Sequence, residues 1–324
     1  MIYVISSKEA YAAKRLVKEA GIMNSELRIL GLKDLERRKF RVASKPGDVL
    51  YVRNPYFKGK PDYLPQIIKL AKSFKRLGRR VVDANIASGK LGKGKWQDYQ
   101  KLKKAGLTIP KTKILTNYQL PTIHYPLILK WIYGLKGKGT FLINSQISTH
   151  STSSGQDFKF QKIIGQHPTS EWMAQEYIDA DFEYKIITVG FKALPVILKF
   201  KFNKKLGRVN FGSHQTITIT NNHDQISEIA EKASRVLGRE LAPSPFLPLD
   251  GGGEEGVKKV IKIAQKASKV LGRELAKVDI LEKDGKFYIL EVNRFPGLES
   301  FEKLSGFNAF GAFLKYLPRT NSRK

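Results

Sequence analysis

Val278-Asp279-Ile280-Leu281-Glu282-Lys283-Asp284-Gly285-Lys286-Phe287-Tyr288-Ile289-Leu290-Glu291-Val292-Asn293-Arg294-Phe295-Pro296-Gly297 carries the strongest structural signal in this chain. Two apolar runs flank Asp284-Gly285, the strongest short-range signal for a β-hairpin. Side chains alternate along a strand, so Glu291 and Asn293 share a face. The side on which Asp279 falls depends on the turn. A two-residue loop at Asp284-Gly285 pairs Asp279 with Leu290 and turns it away from Glu291. A three-residue loop with a bulge at Gly285 pairs it with Ile289 and restores a common face. That face then carries two carboxylates and an amide oxygen, hard ligands suited to Mg²⁺ with bound phosphate. The competing reading is an amphipathic hairpin with polar residues facing water. The apolar neighbours weigh against it, because carboxylates buried among them need a charge partner. Pro296-Gly297 ends the second strand sharply, at a place where ligands commonly sit.

Working outward, the chain has 324 residues, enough for two or three domains. Hydrophobic residues make up 41%, as in a globular protein, and cysteine is absent, which excludes disulfides, cysteine nucleophiles and thiolate metal sites. No apolar run approaches the ~18 residues of a membrane span. Met1-Ile2-Tyr3-Val4 is too short for a signal peptide, so a cytoplasmic protein is expected. Charge is the outlier: 58 basic against 29 acidic residues give +29. The segment from Asp62 to Lys130 alone holds 15 Lys/Arg against three Asp/Glu. A nucleic-acid surface, an acidic partner and a basic composition overall all fit this imbalance, and net charge says nothing of fold. No zinc-finger spacing or RNA-binding aromatic signature favours nucleic acid.

Residues 1–85 alternate between strands (Ile2 to Ile5, Asp48 to Val52, Arg80 to Asp83) and helices (Ala10 to Ala20, Leu64 to Leu77). Such alternation predicts a parallel α/β sheet. Ligands gather beyond the carboxyl ends of strands in such sheets, which brings forward Arg53, Asn54 and Asp83. For Asp83 the expectation is nonetheless a solvated loop. Gly89 to Lys95 reads as a flexible basic connector without the phosphate-loop spacing, opening a helix from Trp96 to Ala105. Tyr125 to Tyr133 and Phe141 to Ile143 read as strands joined by the glycine-rich basic turn Gly134-Leu135-Lys136-Gly137-Lys138-Gly139. Glycines there let backbone N–H groups close on a phosphate. Lys130 is a cation inside an apolar strand, and either a phosphate or a carboxylate would offset its burial. Strands follow at Trp172 to Ile178, Tyr184 to Val189 and Ala193 to Phe202. Arg208-Val209-Asn210 places a cation and an amide on one face of an extended segment.

In this order the motifs resemble the ATP-grasp superfamily, in the branch of ribosomal-protein glutamate ligase and related amino-acid-adding ligases. The resemblance covers about Lys95 to Leu317. It rests on Lys95 with Gln100 and Leu102, Ile109-Pro110-Lys111-Thr112, Pro126 to Lys130 with the glycine turn, and Gln175-Glu176-Tyr177-Ile178. Arg208-Val209-Asn210, Asp279, Glu291-Val292-Asn293 and Pro296-Gly297-Leu298 complete the set.

The resemblance implies an α/β and α+β protein of ATP-grasp architecture in three parts. Residues 1–92 would form an N-terminal parallel α/β domain, 93–177 a small subdomain with a glycine flap, and 178–320 a C-terminal subdomain with the metal site. It also implies that Lys95 and Lys130 contact nucleotide phosphates beneath a flap that includes Gly134, Gly137, Lys138 and Gly139. Gln175, Glu176, Tyr177 and Ile178 would line the nucleotide. Asp279, Glu291 and Asn293 would hold Mg²⁺ or Mn²⁺, and Arg208, Asn210 and Lys185 would face the transferring phosphoryl group. The implied chemistry is ATP-dependent joining of a carboxylate, on a small molecule or protein, to an amine. A nucleotide-binding or nucleic-acid-associated protein without turnover is the alternative. The membrane is not an expected partner, and a homo-oligomer is compatible with the sequence.

Three departures stand out. Lys185 occupies a place usually held by Arg, losing bidentate geometry. Lys277 stands where glycine commonly precedes the aspartate. Finally, Ala230 to Ala242 recurs as Ala264 to Ala276, differing only at Glu231/Gln265 and Arg235/Lys269. Both copies are amphipathic at helical spacing, and residues 243–276 carry the second. The expectation is that one copy docks on the sheet and the other lies outside it, as in a dimer contact; a recent duplication or an artefact of sequence assembly fits the repeat equally well.

Overall fold

The computed structural model describes residues 1–36, 42–53, 63–89, 94–116, 126–134, 139–143, 165, 167–203, 208–218 and 253–317. They form three sheets. The first is parallel, in the order β2-β1-β3-β4: β1 (Ile2–Ile5), β2 (Leu27–Leu30), β3 (Val49–Val52) and β4 (Arg80–Val81). Helices α1 (Tyr11–Ile22), α2 (Leu32–Leu35) and α3 (Leu64–Arg76) accompany it. Every residue of β1 and β3 is buried, as expected for strands covered on both faces. Pro65, in the first turn of α3, lacks only an N–H that the helix start leaves unused.

Helix α4 (Gly94–Lys104) follows. A small antiparallel sheet, β5-β8-β6-β7, holds β5 (Thr112–Ile114), β6 (Leu127–Trp131), β7 (Thr140–Ile143) and β8 (Trp172–Glu176). The third sheet is antiparallel, in the order β11-β10-β9-β12-β13. Its strands are β9 (Phe182–Val189), β10 (Lys192–Asn203), β11 (Arg208–Thr218), β12 (Leu275–Lys283) and β13 (Lys286–Asn293). Helix α5 (Gly253–Val270) crosses one face of this sheet, and α6 (Leu298–Ser305) and α7 (Ala309–Tyr316) close the chain.

The central sheet separates two cores. On one face Val257, Val260, Ala264, Ala267 and Leu271 pack against Ile186, Val278 and Ile280, with Tyr99 and Leu102 of α4 beside them. On the other face Ile187, Leu198 and Phe200 meet Phe310 and Phe313 of α7 and continue into Val4, Leu16 and Tyr51 of the parallel sheet. The ring centroids of Tyr51 and Phe313 lie 4.7 Å apart. One continuous apolar cluster therefore fastens the N-terminal sheet to the central one.

The second copy of the duplicated segment is the docked helix, though its helical part ends at Val270 and its last residues, Leu275 and Ala276, begin β12. The first copy, the loop 144–164 and Asn54 lie outside the described residues. Asp83 does not start a solvated loop. It is buried with positive φ, and its carboxylate accepts the backbone N–H of Glu274 at 2.5 Å while Glu274 accepts that of Asp83 at 2.9 Å. A reciprocal pair of this kind satisfies groups that would otherwise be stranded between two sheets. Burial pushes the Asp83 carboxyl up to about 7, against the pull of Arg294.

Candidate active site

The turn of the β12–β13 hairpin is the two-residue kind. Asp284 (φ 49°) and Gly285 (φ 69°) both adopt the left-handed conformation, and Lys283 pairs with Lys286. Neither pairing expected for Asp279 occurs, however. The register shifts between Asp279 and Ile280, so Ile280 faces Ile289 whereas Asp279 faces Glu291. Leu290 is the extra residue, a bulge in mid-strand rather than at the turn. Its carbonyl accepts a hydrogen bond from the Tyr99 hydroxyl of α4 at 2.6 Å. This bulge turns Glu291 and Asn293 onto the face of Asp279, where directly opposed side chains stand about 5 Å apart at Cβ.

The next strand extends the row. Lys185 of β9 pairs opposite Asp279, and Lys277 of β12 pairs opposite Asn293. Lys277 Nζ lies 3.1 Å from Asp279 Oδ2, to which Asn293 Nδ2 also donates at 3.3 Å. Lys185 Nζ is 3.8 Å from the other oxygen, Oδ1, and also pairs with Glu183. Burial works against the charge on Lys185, but Asp279 and Glu183 outweigh it and raise its pKa. Burial likewise raises the Glu183 carboxyl. Across the site Lys95 Nζ lies 3.8 Å from Glu291 Oε1, and the backbone N–H of Lys95 donates to Ile132 O at 3.2 Å.

Among the described residues no carboxylate forms an ion pair with Lys130. Its Nζ donates to Gln175 Oε1 at 2.6 Å, and Gln175 Nε2 donates on to Thr112 Oγ1 at 3.0 Å. Burial lowers its pKa to about 8, against the opposing pull of Glu291. A cation held beside a neutral amide keeps most of its charge for another anion. Glu176 accepts the backbone N–H of Lys111 at 3.2 Å, and Tyr177 packs against Phe202. Ile178, 6% exposed, packs with Ala180 and Leu281. A groove of about 770 Å³ between α4 and β5, lined by Trp96, Tyr99, Gln100, Lys111 and Thr112, contains none of the carboxylates.

At the expected flap, Trp131 N donates to Gly139 O at 2.7 Å and Gly134 N to Trp131 O at 3.0 Å. Gly139 has φ +73°, and a Cβ there would sit 2.8 Å from Trp131 Cβ, so this position admits only glycine. Gly137 and Lys138 lie outside the described residues. Arg208 and Asn210 belong to β11, the edge strand three places from β12, and their side chains lie outside the described residues.

The structure thus brings Lys95, Lys130, Lys185, Asp279, Glu291 and Asn293 together around one face of the central sheet. The sequence reading missed Glu183 and the closeness of Lys277. The signal was there: Glu183-Tyr184-Lys185 and Lys277-Val278-Asp279 both alternate charge with apolar residues, the pattern of a strand with one charged face.

The residues present fit a divalent cation. Among the described residues Asp279 Oδ1 is buried with no hydrogen-bond partner, and Asn293 spends its Nδ2 on Oδ2, leaving its amide oxygen to act as a ligand. Among the described residues no three His, Asp or Glu side chains cluster at metal spacing, so the third protein oxygen has to come from the amide.

Residues 257–317 match the family model of the RimK-like ATP-grasp domain. A comparison with curated proteins found no match. Among solved structures, the chain is similar to the ATP-grasp ligase PsnB complexed with precursor peptide PsnA2 and AMPPNP, with TM-score 0.64, 12% identity and coverage of 98% of this chain and 96% of that one. It is also similar to D-alanine–D-alanine ligase from Bacillus anthracis, with TM-score 0.55, 16% identity and coverage of 98% and 95%. The RimK domain ATP-grasp protein from Sphaerobacter thermophilus gives TM-score 0.56 and 12% identity, with 98% of each chain covered. The fold of this chain is therefore the ATP-grasp fold.

Proposed function

We propose that this ATP-grasp chain is an ADP-forming ligase that activates a carboxylate as its acyl phosphate and joins it to an amine. The observation that carries this reading is the row Lys185–Asp279–Glu291 with Asn293, set on one sheet face by the Leu290 bulge. The carboxylates of such a row hold metal and its lysines meet phosphate.

Asp279, Glu291 and Asn293 would hold Mg²⁺, which supplies charge neutralisation on the transferring phosphoryl group. Lys130 and Lys95 bind the nucleotide phosphates, and Lys95 gives up Glu291 as it does so. Lys185 and Lys277 hold Asp279 in place and add positive charge where the acyl phosphate and the tetrahedral intermediate develop. Gln175 fixes Lys130, while the segment Glu176-Tyr177-Ile178 offers backbone groups to the adenine. Arg208 and Asn210, on the same sheet, complete the phosphoryl-facing set. No acid–base dyad is required, because such chemistry depends on positioning and charge.

The substrate is a carboxylate on a small molecule or a protein. D-alanine–D-alanine ligase supports the first case, and PsnB, bound to a precursor peptide, the second. Incubation with Mg²⁺-ATP and pooled acids and amines tests the reading, with phosphate release expected only when a matched pair is present. Salt-sensitive binding to random RNA without such release would support the non-catalytic alternative instead.

A further inference from the structure

A second polar cluster lies where the parallel sheet meets the loop that leaves β13. Ser6 directly follows β1 and Arg53 directly follows β3; the two strands are neighbours, and Arg53 N donates to Ile5 O at 3.0 Å. By alternation Ser6 and Arg53 share the strand face of Val4 and Tyr51, the face that packs against the C-terminal helices. Ser6 is 1% exposed. Its Oγ and the Arg53 Nε are both buried without a hydrogen-bond partner among the described residues. Arg53 reaches across to the C-terminal part, where Nη2 donates to Pro296 O at 2.8 Å. Pro296 is three residues beyond the metal-site Asn293, and Arg294 of the same loop stands with its Nε 3.7 Å from Asp83 Oδ2.

Arg53 is half-buried, but its guanidinium cannot shed its proton, so holding Nε–H out of water with no acceptor is costly unless an anion joins it. Arg53 has no carboxylate partner among the described residues. Asp83, the acid of this cluster, is already engaged by Glu274 N and Arg294, and burial pushes its carboxyl up to about 7, which weakens it as a counter-charge. Two unpaired donors at the carboxyl ends of adjacent parallel strands also occupy the position where α/β sheets bind ligands.

We propose that Ser6 and Arg53 form a binding site for the non-reacting carboxylate of the substrate, so that the ligase acts on a dicarboxylic acid or on an amino acid whose own carboxylate survives the reaction. This assignment rests on the ligase reading for its substrate but not for its chemistry, since the anion would be held by Ser6 Oγ and Arg53 Nε whatever is ligated elsewhere. The loop from Asn293 to Pro296 then couples the anchored substrate to the metal site.

The Arg53 Nε–H resonance, identified by its loss in Arg53→Lys, reads the site directly in ¹H–¹⁵N spectra of the full chain with Mg²⁺-ADP. Glutarate and L-alanine are the probes and neutral glutaramide is the control. A saturable millimolar shift with glutarate assigns the site to the acid substrate; one with L-alanine assigns it to the amino acid. Ser6→Ala should weaken the responding probe by about threefold to tenfold, the value of one lost hydrogen bond. No saturable shift with either probe, or an equal shift with glutaramide, overturns the assignment. Mg²⁺-ADP titration of the same sample keeps the two ideas separate. Absent nucleotide binding sinks the ligase reading, whereas normal nucleotide binding with a silent Arg53 sinks only this site.

Discussion

The parallel sheet and the central antiparallel sheet keep their charges in opposite places. In β1 and β3 every residue is buried, and the polar groups Ser6, Arg53 and Asp83 come one or two residues past a strand end. In β9, β12 and β13 the charges sit in mid-strand, with Glu183, Lys185, Lys277, Asp279 and Glu291 alternating with buried apolar residues. The difference follows from what covers each sheet. Layers on both faces of the parallel sheet leave only its edge for chemistry, whereas α5 covers one face of the central sheet and the other is free to carry a site beside the α6–α7 core. Substitutions should therefore divide sharply, with mid-strand charges removable at the cost of chemistry and strand-end groups removable at the cost of coupling between parts.

Glu291→Gln tests this division most severely. Turnover is expected to fall by about 10⁴-fold, more than 5 kcal/mol at 1.36 per decade, through loss of a metal ligand. Thermal unfolding should barely move, because Glu291 is 36% exposed and its partner Lys95 lies at 3.8 Å. A large drop in melting temperature would make the mid-strand charges structural and erase the contrast.

Lys130→Ala should weaken nucleotide binding by roughly 10- to 100-fold, the value of a lost charge-assisted contact in a buried site. Calorimetric titration with Mg²⁺-ADP measures it, and unchanged affinity would remove Lys130 from the site. The wild-type pH profile sharpens the point. Burial lowers Lys130 to about 8, so the charged form that phosphate needs is lost as pH rises through that value, and affinity should fall there. Lys130→Arg, permanently charged, should flatten the profile.

Asp83 tests the strand-end half. Its carboxyl is raised from 3.8 to about 7, so the folded state holds the proton more tightly than the unfolded one. Its contribution to stability is therefore fully present below about 4 and is lost as pH rises through about 7. Asp83→Asn should remove that slope from a series of urea unfolding curves between these limits. An unchanged slope would assign the pH dependence elsewhere.

These two regions also differ in how far the sequence disclosed them. Asp284-Gly285 marked the hairpin, and alternation placed Glu291 beside Asn293, so two of the three oxygens proposed to hold metal were legible. The third was not. The register of Asp279 depends on the bulge at Leu290, whose carbonyl is met by Tyr99 nearly two hundred positions earlier, and no local pattern encodes a contact of that separation. Asp83 was misjudged for the same reason: Asp-Ala-Asn after a short strand looks like a turn, and its burial comes from Glu274 and Arg294 in the last quarter of the chain. Lys130 was recognised as buried, but its amide partner Gln175 lies on another strand.

The duplicated segment poses the smallest and most specific test. The docked copy does two jobs: its helix fills the α5 groove through Val260, Ala264 and Ala267, and its Gly272-Arg273-Glu274 turn joins α4 and the N-terminal sheet. There Arg273 donates to Asp98 at 2.6 Å and Glu274 accepts from Arg80 at 2.6 Å and Tyr316 at 2.6 Å. The first copy carries the same Gly238-Arg239-Glu240 and offers Ile226 and Ile229 where the docked copy has Val260 and Ile263. It differs unfavourably at two positions, with His223 in place of buried Val257 and Ser227 in place of Ile261, which packs against the same core. Removing residues 243–276 joins Ala242 directly to Lys277 and leaves the first copy in register to enter β12. The shortened chain should unfold cooperatively with stability lowered by about 2 kcal/mol, the cost of a polar ring near the helix start and of a serine where Ile261 is partly buried. Loss of the cooperative transition would mean that the copies are not interchangeable. The groove would then be selecting by the first two turns of the helix rather than by the repeated stretch of thirteen positions.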